Sequence, residues 1–139
     1  MRYVKLIIFF STIESLYHKA SLKFGITDSE SVVLYSVYDM GGGCRLSGIY
    51  KESCVSKQTI NSAVRKLETN GILYLENGEC KGKCIKITKK SRSLIESTVA
   101  RLYAAEGNTF IAWSEGEIAA HIRLMEKYTE CFRWEVEKL

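Results

Sequence analysis

The 139-residue chain contains no proline and no long apolar run. Because proline breaks helices in their interior, its absence favours long helices. The run LIIFF follows Arg2 and Lys5 and so imitates the start of a secretory signal, but it ends after five residues at Ser11. A run this short is too brief for a membrane span or the core of a signal peptide. We therefore expect a cytoplasmic protein.

Cysteine and histidine are too few and too scattered for a metal centre. The five cysteines are Cys44, Cys54, Cys80, Cys84 and Cys131, an odd number without the spacing of a disulfide framework. The two histidines, His18 and His121, stand alone, whereas a zinc site needs four ligands. We expect no cofactor and no metal. Cys80 and Cys84 leave a thiol-responsive switch open as an alternative, since they are four residues apart beside two lysines.

Acidic residues are scarce in the middle of the chain. From Arg45 to Arg92 there are eleven Lys and Arg against four Asp and Glu, whereas the rest of the chain has nine against twelve. A concentration of positive charge is typical of a nucleic-acid site, although a solvated surface can look the same.

Apolar residues spaced by three and four predict a first helix from Leu6 to Phe24, ending near Gly25. Thr27 and Glu30 have the spacing of a capping box, which predicts the start of a second helix. That helix should break at the three glycines 41–43, and a third, shorter helix should span about 46–53.

The segment SKQTINSAVRKLETNG, residues 56–71, predicts a fourth helix with two different faces. Ser56 is its expected N-cap, and Gly71 should end it in a left-handed conformation. The apolar residues Ile60, Ala63, Val64 and Leu67 fall on one face. The opposite face carries Lys57, Gln58, Asn61, Ser62 and Arg65, with Thr59 beside them. Arg and Lys donate to guanine, and Gln and Asn can pair with adenine, so this face has the chemistry of a base reader.

A hairpin and two further helices should follow. Residues 72–76 read as a strand, Asn77-Gly78 is a strong hairpin signal, and Ile85 and Ile87 alternate on a return strand. Helical spacing then resumes through residues 94–103 and should end or bend near Gly107. Ser114 and Glu117 form a second capping box before a last helix with one apolar stripe. The predicted fold is mainly α with a small two-stranded β-wing, a winged helix-turn-helix flanked by long helices.

The run VSKQTINSAVRKLETNGIL, followed by a hairpin that closes in IKIT, resembles the MarR family of winged-helix transcriptional regulators. The motif resemblance covers about residues 27–95, and the order of helices extends it over one domain, 1–139. It implies that 27–92 bind DNA and that 1–26 and 93–139 form a helical dimerisation region.

The resemblance further implies a homodimer, for which we expect repressor activity at a pseudo-palindromic duplex operator. The recognition helix 56–70, including Ser56, would enter the major groove, and the wing 76–84 would meet the adjacent minor groove or backbone. Members of the family usually have an acidic-x-Arg motif at the wing tip. This chain has ENGECKGKC instead. We therefore expect Lys81 and Lys83 to contribute more to affinity for phosphate than to sequence specificity.

Large apolar residues at the two ends of the chain favour a dimer independently, since a small domain has little room to bury them. The candidate interface residues are Phe9, Phe10, Ile13, Phe132, Trp134, Val136 and Leu139. The alternative is that they complete the core of a monomer.

The resemblance also implies a site for a small aromatic effector, for which the candidates are Tyr17, His18, Tyr35 and Tyr38. These four could instead be ordinary core packing. The chain lacks a nucleophile-and-base pair and a phosphate-binding glycine loop, so we do not expect an enzyme. The rival hypothesis is a winged helix that binds protein, which an acidic or apolar surface around Lys57, Asn61 and Arg65 would favour.

Overall fold

The computed structural model describes residues 4–78 and 82–139 and confirms the predicted fold class, a mainly α winged helix-turn-helix, with one strand and one α-helix more than predicted. The elements are α1 (Val4–Phe24), α2 (Asp28–Asp39), β1 (Gly43–Arg45), α3 (Leu46–Ser53), α4 (Lys57–Thr69), β2 (Leu73–Asn77), β3 (Lys83–Ile87), a 3₁₀ turn (Lys89–Ser91), α5 (Arg92–Ser97), α6 (Val99–Thr109) and α7 (Glu115–Val136). The chain divides into two compact units, one extending to Tyr103 and the other spanning Ala104–Leu139.

The first unit is built around one apolar core. Its buried apolar residues come from α2, α3, α4, the hairpin and the helices after it: Val33, Leu34, Val37, Ile49, Ile60, Ala63, Val64, Leu67, Leu73, Ile85, Ile95 and Val99. The α4 residues are the four that the sequence placed on the inner face of the recognition helix. Helix α4 is therefore held by its apolar side on α2, α3 and the hairpin.

The sheet has three antiparallel strands in the order β1-β3-β2, one more than the sequence predicts. In the pairing of β1 with β3, Cys44 lies opposite Ile85 and Arg45 opposite Cys84. This strand has three residues and begins at the third of the glycines 41–43, so it shows no alternation of apolar and polar residues. It forms only through its pairing with β3. At its open end the hairpin pairs Leu73 with Ile87, and at its other end it pairs Asn77 with Lys83.

Both predicted capping boxes are present. The Thr27 hydroxyl accepts the Glu30 amide at 3.2 Å, and the Glu30 carboxylate accepts the Thr27 amide at 2.7 Å. Ser114 and Glu117 repeat the arrangement at the start of α7. Gly71, after α4, has a φ of +70°, which a residue with a Cβ adopts only at a cost.

Glu30 is a buried carboxylate that joins α2 to α4. Its side chain is 6% exposed, and its Oε1 lies 3.0 Å from Nζ of Lys66 on α4. Burial raises the pKa of Glu30, but the hydrogen bonds from Thr27 and the ammonium of Lys66 outweigh it, so that the pKa falls below its ordinary value. The ionised form of Glu30 therefore stabilises the contact between the capping box and the recognition helix.

We predict that Glu30→Gln lowers the free energy of unfolding by about 1–3 kcal/mol at pH 7, since a neutral amide replaces a charged, hydrogen-bonded group. Because the pKa of Glu30 is lower in the folded protein, its carboxylate stabilises the fold fully at pH values above the ordinary pKa of 4.5. This stabilisation is lost as the pH falls through the pKa of the folded protein. Urea unfolding should therefore show the difference between the two proteins shrinking below pH 4.5.

Glu117→Gln is the matched control, because it alters an exposed capping box in the other unit. It should cost less than Glu30→Gln at neutral pH. The prediction would be contradicted if the difference in unfolding free energy between the wild type and Glu30→Gln stayed the same down to the lowest pH at which both proteins fold.

The predicted helix after the wing is broken into α5 and α6 at Thr98, whose φ and ψ are −123° and −98°. The Thr98 hydroxyl donates to the Leu94 carbonyl at 2.6 Å, which competes with the helical hydrogen-bond pattern. Gly107, where the sequence predicts an end or bend, lies inside α6, and the helix ends two residues later at Thr109.

The second unit consists of the end of α6 and the long helix α7. Phe110, Trp113 and His121 cluster at the turn between them, with centroid distances of 5.1 and 5.4 Å from the Trp113 ring to the other two. Within α7, no described residue is buried. Across residues 4–78 and 82–139, none of the helices combines the length and apolar character of a membrane span.

Candidate nucleic-acid interface

The recognition helix α4 begins as the sequence predicts. The Ser56 hydroxyl accepts the Thr59 amide at 3.2 Å and donates to the Thr59 hydroxyl at 2.8 Å. With one face of α4 buried, the other is left to solvent, and its residues Lys57, Gln58, Thr59, Ser62 and Arg65 are all exposed. The structure thus brings the predicted base-reading residues of α4 together on one open face.

The polar groups of this face differ in what they can still bind. The Ser62 hydroxyl donates to the Gln58 carbonyl at 3.0 Å, which leaves its oxygen as an acceptor. Among the contacts of residues 4–78 and 82–139, Gln58 and Arg65 have no side-chain partner, so both remain available to a ligand. Neighbouring Lys66 is already paired with Glu30. Arg65 is therefore the unpaired guanidinium at the centre of the face.

Tyr50 on α3 contacts this face, which the sequence did not predict. Its hydroxyl donates to Oδ1 of Asn61, and Nζ of Lys57 lies 5.6 Å from the centre of its ring. Asn61 is accordingly half-buried, unlike its neighbours on the same face. The contact joins two helices, so no spacing within one helix could have revealed it.

The wing contributes one unpaired cation to the described structure. Lys86 is held by Glu76 at 2.8 Å, and this ion pair raises the pKa of Lys86. Lys83, the first residue of β3, is exposed and has no ion-pair partner among the described residues. Lys81 lies outside the described residues.

Of the predicted ligand-binding residues, two come together. The rings of Tyr35 and Tyr38 lie 5.7 and 5.5 Å from that of Tyr103 on α6. His18 instead bonds through Nδ1 to Asp28 at 2.7 Å, and Tyr17 on α1 is partly exposed. The third ring, Tyr103, lies at the end of the helical spacing of residues 94–103, which gives no sign of a contact with α2.

A pocket of about 490 Å³ opens beside the sheet, away from these four residues. Its lining includes Cys44 and Cys84 together with Arg45, Glu52 and Lys86. Burial raises the pKa of Cys44 to about 11, with further contributions from Cys84 and Glu52. The Cys44 thiol is therefore protonated at neutral pH, which makes it a poor nucleophile.

Of the two cysteines proposed as a thiol switch, Cys80 lies outside the described residues. Cys44, Cys54, Cys84 and Cys131 are free thiols. Within 4–78 and 82–139, His, Cys, Asp and Glu side chains form no group of three or more suited to a metal ion.

The proposed dimerisation residues are largely solvent-exposed in the single chain. On α1, Phe9 and Ile13 are 60% and 50% exposed, whereas Phe10 is half-buried. Near the C-terminus, Phe132, Trp134, Val136 and Leu139 are also exposed. Trp134 differs from the rest, because Nζ of Lys138 lies 3.0 Å from the centre of its ring. At about 100° per residue, Trp134 also lies on the side of α7 opposite to Phe132 and Val136.

Comparisons with known proteins are consistent with this architecture. Residues 26–76 match the model of the MarR family. No curated protein matches the chain. Among solved structures, a MarR family regulator from Neisseria meningitidis is similar with a TM-score of 0.86 at 13% identity, covering 99% of this chain and 98% of its own.

Two further similar structures come from proteins that bind DNA. MepR of S. aureus, solved as a DNA complex, has a TM-score of 0.73 at 17% identity, covering 95% of this chain and 96% of its own. BpsR of Bordetella bronchiseptica, whose DNA binding is regulated by 6-hydroxynicotinic acid, has a TM-score of 0.64 at 19% identity, covering 92% and 93%. The family match over α2 to β2, together with the shared winged-helix fold, confirms the predicted resemblance of this chain to the MarR family.

Proposed function

We propose that this protein is a DNA-binding transcription regulator, and not an enzyme, that acts as a homodimer on a pseudo-palindromic operator. The observation that carries the proposal is the exposed face of α4, where Lys57, Gln58 and Arg65 are open to solvent. Residues 56–67 contain no acidic side chain. The face is therefore neither acidic nor apolar, which favours a duplex over a protein partner.

In this proposal α4 enters the major groove and the hairpin lies over the adjacent minor groove or backbone. Arg65 is the residue best placed to donate to the N7 and O6 atoms of a guanine, because no neighbouring group occupies its guanidinium. Lys83 supplies a phosphate contact from the wing, since Lys86 is already neutralised by Glu76. A repressor is the simplest mode of action, because a bound dimer blocks access to the operator.

The dimer in this proposal is formed by the apolar stripes of α1 and α7. On α7 the stripe consists of Ile118, Ile122, Met125, Phe132 and Val136, spaced by three, four and seven residues. A helix with no buried residue and an apolar stripe needs a partner to cover it, and a second copy supplies the same stripe by symmetry. Two recognition helices would then be held about one helical turn of DNA apart.

We also propose that the protein binds a small aromatic effector. The cluster of Tyr35, Tyr38 and Tyr103 supports it, because Tyr38 and Tyr103 are 37% and 44% exposed and present ring faces on which a further ring can pack. Tyr17 and His18 stay candidates for the same ligand. The effector would act by changing the distance between the two recognition helices.

The test of the proposed function is Arg65→Ala in a duplex-binding titration. If Arg65 pairs with a guanine, binding to the selected operator should weaken by about 1–3 kcal/mol, and selection from a random duplex pool should show relaxed preference at one position per half-site. Arg101→Ala is the matched control, because it removes an exposed arginine from α6, outside residues 27–92.

Equal losses on every sequence would assign Arg65 to phosphate, and the slope of log affinity against log salt would then fall by about 0.9 per contact. Failure of the wild type to bind random duplex at low salt would refute the proposal. It would favour the winged helix that binds protein.

A further inference from the structure

Tyr50 links the helix before the turn to the recognition face. It lies on α3, packs partly against the core, and directs its hydroxyl at α4. The hydroxyl donates to Oδ1 of Asn61, while the ring lies beside the ammonium of Lys57 at 5.6 Å. One side chain that is not on the recognition helix therefore contacts two of its predicted base readers.

The hydrogen bond decides which end of the Asn61 amide is available. An asparagine side chain carries an oxygen acceptor at one end and an NH₂ donor at the other, and recognition of adenine uses both together. In this protein the oxygen is turned towards α3, where it accepts the Tyr50 proton. The NH₂ group has no partner within residues 4–78 and 82–139, so Asn61 is available as a donor.

We propose that Tyr50 is a positioning residue that sets base specificity, by holding the Asn61 amide so that it donates to a base instead of pairing with adenine. This inference rests on the proposed function, in which α4 enters the major groove. In that groove guanine offers two acceptors, N7 and O6, and no donor, whereas adenine offers one acceptor and one donor. A fixed NH₂ group therefore favours guanine over adenine at the position that Asn61 contacts.

Tyr50→Phe isolates this effect, because it removes only the hydroxyl. The ring remains to pack on the core and beside Lys57, and no charge changes. The Asn61 amide is then free to turn and to present its oxygen and NH₂ group together. Adenine should gain relative to guanine at one position, and electrostatic affinity for random DNA should stay the same.

The experiment is selection of bound sequences from a random duplex pool with the wild type, Tyr50→Phe, Asn61→Ala and the double variant. The position contacted by Asn61 is the one whose preference disappears in Asn61→Ala. There the ratio of adenine to guanine should rise about tenfold in Tyr50→Phe, as expected for one bidentate pair. The double variant should match Asn61→Ala, because Tyr50 acts through Asn61. Ser97→Ala, which removes an exposed hydroxyl from α5 that donates to the Leu94 carbonyl, should match the wild type.

An unchanged base preference in Tyr50→Phe would overturn the inference, as would a shift that persists when Asn61 is alanine. Failure of the proposed function looks different, because the wild type itself would then enrich no sequence, and the inference would fail with it. Urea unfolding of the same four proteins tests the Tyr50–Asn61 bond without DNA. If the losses of stability in Tyr50→Phe and Asn61→Ala simply add in the double variant, the bond does not stabilise the protein.

Discussion

Replacing Ile122 and Phe132 by aspartate should convert a dimer into a monomer and weaken operator binding by about 100-fold or more. Both residues lie on the apolar stripe of α7 and are 52% and 56% exposed in the single chain. In a symmetric interface each aspartate would bury an unpaired carboxylate, which is strongly unfavourable. Two linked recognition helices bind far more tightly than one, so loss of the dimer removes this gain. Sedimentation equilibrium and a duplex titration measure the two effects.

Trp134→Asp provides the matched control on the same helix. Trp134 is 62% exposed, but it lies on the other side of α7 with Lys138 over its ring. It was among the predicted interface residues, and the stripe does not require it. We expect Trp134→Asp to remain a dimer. A wild-type protein that sediments as a monomer at all concentrations would refute the proposed assembly.

Ile60→Ala should lower the free energy of unfolding by about 2–5 kcal/mol, because it leaves a cavity under the recognition helix. Ile60 is fully buried at 0% exposure and lies on the inner face of α4, one turn from the N-cap Ser56. Removing its side chain takes away packing that holds α4 on the core of the first unit. Urea unfolding followed by circular dichroism gives the change in stability.

Ser62→Ala is the control for Ile60→Ala. It tests whether the loss of stability comes from removing a buried side chain, and not from any substitution in α4. Ser62 is exposed on the opposite face, and its hydroxyl bonds only to its own helix. The change in stability should stay within about 0.5 kcal/mol. A loss of less than about 1 kcal/mol in Ile60→Ala would show that the core does not hold α4 as described.

Local signals predicted much of the fold correctly. Capping boxes at Thr27 and Ser114, the N-cap at Ser56 and the left-handed glycine at position 71 are all present. Such features depend on residues within four positions of one another, so the sequence contains the information directly. Strand β1 was missed because it depends on a distant partner, the strand β3. The break at Thr98 was missed as well, although the bond to Leu94 that accompanies it is local.

In the candidate site, too, the sequence predicted the local features and missed the contacts between helices. Periodicity alone assigned Lys57, Gln58 and Arg65 to one exposed face, since 3.6 residues complete a helical turn. It could not distinguish Arg65, whose guanidinium is open, from Asn61, whose amide oxygen is already bonded to Tyr50. Nor could it show that Lys66 is paired with Glu30, because that partner lies on another helix.

By itself the sequence determined which helices form, which face of each is apolar, and where positive charge collects, because propensity, capping and periodicity act over a few residues. Tertiary structure decided which of the polar groups remain available. Packing α3 against α4 brings the Tyr50 hydroxyl to Asn61, and packing α2 against α4 brings Glu30 to Lys66. Hydrogen bonds and ion pairs require contact within a few ångströms, and only the crossing of helices distant in sequence produces that contact.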